Sequence, residues 1–276
     1  MMRINSFGLA SLVLLAILTA CNPGKRALIK GYNSFDGGDY NIAIEQYRVA
    51  MDNGVEVGES NYRIAEAYRL SNRLAEAAPY YEAAIDMGVA DTAAVFHYAL
   101  ALKQNGEYEQ AKEQLDEYLK LSRDSVLEYT EWANQEIANL NNLDSILVKD
   151  EYFEIEPVAS VNTEEAEYAP IAHRGSLYFT SSRGSEKVYK ATGTGFTNIF
   201  KAPIQNDQVL AEQANTLGAE FASEAVNEGV ITFSPNGKMM VFARGNSGKK
   251  KGTRDVNLYM SHYQKGKWTT PEILSI

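Results

Sequence analysis

The side chains able to do chemistry are few in this chain, and they lie far apart. His97, His173 and His262 are the three histidines, and no two stand at a spacing that would let them share a metal on one helix face or hairpin. The HExxH zinc signature, the GxSxG nucleophile elbow and the phosphate-binding loop are all missing from the sequence. Residues 193–195 and 245–252 are rich in glycine, but they separate short β-prone runs. A phosphate cradle needs a helix N-terminus behind it, so these stretches read as loops. Glu164, Glu165 and Glu167 read as a charged turn, because nothing in the pattern holds two carboxylates at a catalytic separation. Lys249, Lys250, Lys251 and Arg254 gather positive charge on an acidic protein. Their default reading is a solvated loop, with an anionic partner surface as the alternative. The expectation is a protein without catalysis, cofactor, metal or small-molecule substrate. A formal charge of −10 also argues against nucleic acid, whose phosphates call for a positive field.

One further group, the lone thiol of Cys21, stands in a telling place. Arg3 supplies a short positive segment, and residues 7–18 form an apolar run of 12. A helix needs roughly 20 such residues to cross a bilayer, so residues 1–20 read as a cleaved signal peptide. The segment closes on Leu18-Thr19-Ala20-Cys21, which resembles the bacterial lipobox. That resemblance implies cleavage before Cys21, a diacylglycerol on its sulfur and an acylated amino terminus, which together anchor stably where one chain would not. Residues 21–26 then read as a lipidated tether. Asn22 is not the aspartate of the inner-membrane retention signal, and no acidic run follows. Both features favour the periplasmic face of the outer membrane. With one cysteine, an internal disulfide is impossible.

The elements that position the remaining residues begin with a repeat. Ala43, Ala77 and Ala111 are spaced by 34. Tyr47, Tyr81 and Leu115 follow four residues later, and Ala50, Ala84 and Tyr118 three beyond those. Gly31, Ala65 and Ala99 hold the matching small position of the preceding helix. Paired helices approach closely only where small residues face each other, and the turn between them wants a residue tolerant of positive φ, here Gly38, Asn72 and Gly106. This pattern resembles the tetratricopeptide repeat over residues 27–142. Residues 126–140 continue it as a capping helix, with Tyr129, Trp132, Ala133 and Glu136 where a fourth repeat would start. The resemblance implies a concave face that binds peptides or partner domains. Its groove positions fall on Tyr32, on Tyr62, Glu66 and Arg69, and on Phe96 and Lys103. The alternative for the aromatics is packing between repeats, since they lie at helical core spacing.

Beyond a linker at 143–155, helical periodicity gives way to short β-prone runs between turn residues. Two stretches within 156–276 echo each other. Asn198-Ile199-Phe200 aligns with Asn257-Leu258-Tyr259 at 59 residues, and Phe179 with Phe242 at 63. Residues 263–268 read as a hairpin turn. Ser234-Pro235-Asn236-Gly237-Lys238 before an apolar run ending in Phe242 resembles the TolB-type, WD-like propeller repeat, although His173-Arg174-Gly175 replaces that turn in the first copy. The expected fold is multidomain α + β, an all-α tetratricopeptide solenoid followed by an all-β partial propeller. About two blades fit, where closed propellers take four to eight. An incomplete propeller is therefore expected, continued by more chain or completed by a partner.

Lipobox, helical repeats and propeller in that order resemble a group of Bacteroidota envelope lipoproteins, some linked to type IX secretion and gliding. Many of those end in an OmpA-like peptidoglycan-binding domain, which has no counterpart here. The resemblance implies a non-enzymatic scaffold whose partners are envelope proteins or peptides and which meets the membrane through its lipid anchor alone. The alternative is the accessory propeller of a prolyl-oligopeptidase-type serine peptidase whose catalytic domain lies elsewhere.

Overall fold

The computed structural model describes residues 22–121, 128–147, 156–222, 226–245, 247 and 256–275. Cys21 and the signal segment, together with Lys249, Lys250, Lys251 and Arg254, lie outside the described residues. The chain divides into a helical unit, residues 1–150, and a β unit, residues 151–276.

The helical unit is a succession of antiparallel pairs: α1 (Pro23–Gly37) with α2 (Tyr40–Asp52), α3 (Val57–Leu70) with α4 (Ala78–Asp86), and α5 (Thr92–Gln104) with α6 (Tyr108–Leu121). After these come α7 (Thr130–Asn141) and a short α8 (Leu143–Leu147). Helix α1 begins earlier than the tether reading allows. The Asn22 side chain accepts the N–H of Gly24 at 2.8 Å and of Lys25 at 3.3 Å, and Pro23, which has no N–H to lose, opens the helix. Residues 23–26 are therefore its first turn. The linker reading is corrected in the same way at residues 143–147, which are α8.

The repeat positions behave as their types require. Ala43, Ala77 and Ala111 are fully buried, as are Tyr47, Tyr81, Ala65 and Ala99. A Cβ on Gly31 would stand 2.7 Å from the Tyr47 ring, so only glycine lets α1 lie this close to α2. The three turns place Gly38, Asn72 and Gly106 at φ of 81°, 60° and 80°, the left-handed region that their residue types tolerate. One pair departs from the pattern. Before α4 the chain makes a 3-10 turn at Leu74–Ala77, because Pro79 cannot donate to the carbonyl of Ala75. That carbonyl instead accepts the Asn105 side-chain amide at 3.1 Å.

The β unit holds two antiparallel meanders. The first runs β1 (Glu167–His173), β2 (Ser176–Ser181), β5 (Asn198–Gln205), β6 (Gln208–Val209), with β7 (Asn215–Thr216) also on β5. The second runs β8 (Asn227–Phe233), β9 (Met239–Gly245), β10 (Asn257–Gln264), β11 (Lys267–Trp268), with β12 (Glu272–Ile273) on β10. Residues 193–195, expected to be loop, instead supply β4 (Thr194–Gly195), which pairs with β3 (Val188–Tyr189). The predicted hairpin at 263–268 forms, with Tyr263 opposite Trp268.

The internal repeat of the sequence becomes a repeat of cross-strand pairs. Phe179 faces Phe200 across β2 and β5, and Phe242 faces Tyr259 across β9 and β10. Both pairs stack, with centroids 5.7 and 5.8 Å apart. Tyr178, Ile199, Phe221, Ile231, Met240 and Phe242 form the core shared by the two sheets. Alternation sends Phe179, Phe200 and Ala202 to the other face of the first sheet, under Val161. Leu258, the counterpart of buried Ile199, is 37% exposed.

Candidate partner-binding face

The 34-residue period places Tyr62 and Phe96, Arg63 and His97, and Arg69 and Lys103 at equivalent points on α3 and α5. These helices are the first members of their pairs, and together with α1 and α7 they build one face of the array.

Phe96 does not line that face. It is fully buried, stacked on Tyr129 at 4.6 Å and 9° and meeting the edge of Trp132 at 5.2 Å. The groove assignment for Phe96 is thus corrected to a packing role, because the residues entering α7 cover it. Tyr32 is half-buried, edge-on to Tyr47 at 5.6 Å. The guanidinium of Arg63 lies 5.6 Å from the rings of Tyr32 and Phe35 and 5.9 Å from that of Tyr62, and its charge is matched by Glu59 at 2.7 Å.

Glu66 and Arg69 are brought together, at 2.6 and 3.0 Å through two N–H groups. The phenol of buried Tyr81 also donates to Glu66. Burial pushes the Glu66 carboxyl up, but the bonds from Arg69 and Tyr81 outweigh it and hold the group below the ordinary carboxylate value. Lys103 pairs with Glu136 of α7, whose other oxygen accepts the Trp132 indole N–H at 3.0 Å. Tyr62 donates its phenol to Asp91 at 2.9 Å, while the other oxygen of Asp91 caps α5 through the N–H of Ala94 at 2.9 Å. Burial, and then the bond to Asp91, raise the Tyr62 pKa.

Three further side chains complete the face, and none was a sequence-level candidate for it. His97 lies 5.2 Å from the ring of Tyr129 and 6.4 Å from that of Tyr81. Burial first, and the charge of Arg69 second, depress its pKa below the ordinary histidine value, so the imidazole is neutral at pH 7. Tyr129 and Trp132 stand 6.3 Å apart, and Trp132 is 49% exposed. The signal for His97 lay in the repeat itself, since it stands 34 residues after Arg63. Tyr129 and Trp132 were legible as the start of a helix, but not as rings over Phe96.

In the β unit, Glu167 is a strand residue and not part of a charged turn. Arg183 pairs with it at 2.8 Å, Ser181 and Thr163 donate hydroxyls at 2.8 Å, and the Thr163 N–H adds a bond at 3.0 Å. Burial pushes this carboxyl up, but those bonds hold it at about 2. A cavity of about 210 Å³ lined by Val158, Val161, Leu177 and Phe179 opens beside it. Glu228, 61 residues on, repeats the arrangement with Arg244 at 3.1 Å. Each arginine lies over its meander's aromatic pair, at 5.1 and 5.5 Å for Arg183 and 5.3 and 4.8 Å for Arg244. Because the folded carboxyl of Glu167 is depressed, its stabilisation is present above the unfolded pKa near 4.5 and lost as pH falls toward about 2. Acid titration of the β unit followed by circular dichroism should show that loss in the wild type and a smaller one in Glu167→Gln.

His173 stacks on Phe233 at 3.9 Å and His262 is exposed. Among the described residues no three His, Cys, Asp or Glu side chains are grouped to hold a metal. Compared with models of known families, residues 58–87 and 93–125 match the tetratricopeptide repeat. Those residues, which cover nearly all of α3 to α6, are tetratricopeptide repeats, the class of helical array that engages protein partners. No curated protein matches the chain.

Proposed function

We propose that this protein is a non-enzymatic scaffold, anchored to the outer membrane through acylated Cys21, that holds a protein partner on the face built by the first helices of its array. The observation that carries the reading is the ring row over Phe96, ending in a half-exposed Trp132 on a tetratricopeptide array. Exposed aromatic anchors backed by rigid neighbours are what interfaces use for affinity. In this reading the β unit is two blades of a TolB-type propeller offering a second surface, and the assembly served belongs to a Bacteroidota envelope, with type IX secretion or gliding as the candidate. The lipobox supports the anchor, and no described helix is long and apolar enough to cross a membrane.

The experiment has two arms. In the first, a palmitate analogue should label the wild type, and Cys21→Ala should leave the membrane fraction. An unlabelled wild type would refute the anchor. In the second, a photo-crosslinking side chain at position 132 should capture a partner in cells, while one at Tyr108, exposed on second-helix α6, should not. Equal capture at both positions, or none at 132, would refute the face.

A further inference from the structure

The charges of this face limit what it can hold. The three cations of α3 and α5 are each neutralised from within: Arg63 by Glu59, Arg69 by Glu66 and Lys103 by Glu136. On these two helices an acidic ligand or a chain-terminal carboxylate would have to displace one of these built-in partners to be paired. The opposite sign is available. Asp91 is exposed, its bonds are to a phenol and a backbone N–H, and no ion pair with a cation is formed by it among the described residues.

The rest of the face is aromatic and rigid. Tyr129 is fixed by its stack on Phe96 and Trp132 by its edge contact with that ring, with the indole N–H held by Glu136. Rings fixed in this way offer flat apolar surface without an ordering cost on binding. Proline rings suit such surfaces, and a polyproline II segment arrives already extended. Its backbone carbonyls have no internal donors. Neutral His97 carries one ring N–H that can supply a donor to them.

We propose that the row Tyr62, His97, Tyr129 and Trp132 binds an extended, proline-rich segment of a partner protein, with a basic side chain of that segment set against Asp91. This rests on the reading of the face as the interface, and it specifies the occupant.

The test uses the full chain and three synthetic peptides, measured by calorimetry: a proline-rich peptide bearing arginine, the same peptide with glutamate in its place, and an amphipathic helix-forming peptide. The arginine peptide should bind at least tenfold more tightly than either of the others. Trp132→Ala should weaken it at least tenfold. Asp91→Asn, which keeps the helix cap because asparagine caps as well as aspartate, should weaken the arginine peptide several-fold with the circular dichroism spectrum unchanged. Preference for the glutamate or helical peptide overturns the proposal, as does an arginine peptide indifferent to both substitutions. Binding of none of the three overturns it as well. In each of those cases crosslinking from position 132 still decides whether the face is an interface, so the two failures are distinct.

Discussion

Phe96→Ala is expected to destabilise the helical unit by about 3–5 kcal/mol, the usual cost of deleting a large buried aromatic side chain. Phe96 is fully buried and its ring touches those of His97, Tyr118, Tyr129 and Trp132. Truncation therefore removes the transfer term and leaves a cavity lined by rings that cannot collapse together. The loss should concentrate where α5, α6 and α7 meet. Native-state hydrogen exchange would show amides of α5 and α7 opening at much lower free energy, with α1 and α2 less affected, because repeats contact only their neighbours. Trp132→Ala, at a half-exposed position, should cost well under half as much. Equal costs would mean that Phe96 is no more central than the ring above it.

Arg244→Ala should destabilise the β unit by about 3–5 kcal/mol, the range seen when one partner of a buried ion pair is removed. Glu228 is fully buried, and Arg244 both bonds it at 3.1 Å and covers the stacked pair Phe242 and Tyr259. Arg183→Ala should cost less, since Glu167 keeps the bonds from Thr163 and Ser181. The double replacement Glu228→Leu with Arg244→Met should recover most of the loss, because no charge is then left in the core. Exchange at amides of β8 to β10 measures the two Arg244 variants, and exchange at amides of β1, β2 and β5 measures Arg183→Ala. Similar losses for the two arginines would show that the extra donors to Glu167 contribute nothing.

The repeated β motif explains why part of this unit was hidden in the sequence. Each meander has a bulge in its first strand, with Ala169 and Val230 at φ of 51° and 52°. Neither residue type signals positive φ, so the bulges could not be read in advance. Val230 is held there in part by its N–H bond to Thr180 at 3.2 Å, a contact 50 residues away in sequence. Glu167 was masked by Glu164 and Glu165 beside it, three acids that look alike until one is covered.

The 34-residue spacing of small residues, the three turns and the aligned β-prone runs were determined by the sequence alone. Each of these depends on steric limits local to a helix pair or a strand: a close approach that excludes a Cβ, a φ that few residues adopt, an alternation of faces. The tertiary structure decided which side chains of the face are covered and which charges are already matched. Phe96 and Tyr62 hold the same repeat position, yet one is sealed under α7 and the other reaches Asp91. Lys103 and Arg69 also share a position, yet one is neutralised from α7, 33 residues on, and the other by Glu66 in its own helix. Burial and ion pairing depend on neighbours supplied by other elements, and spacing along the chain does not reveal them.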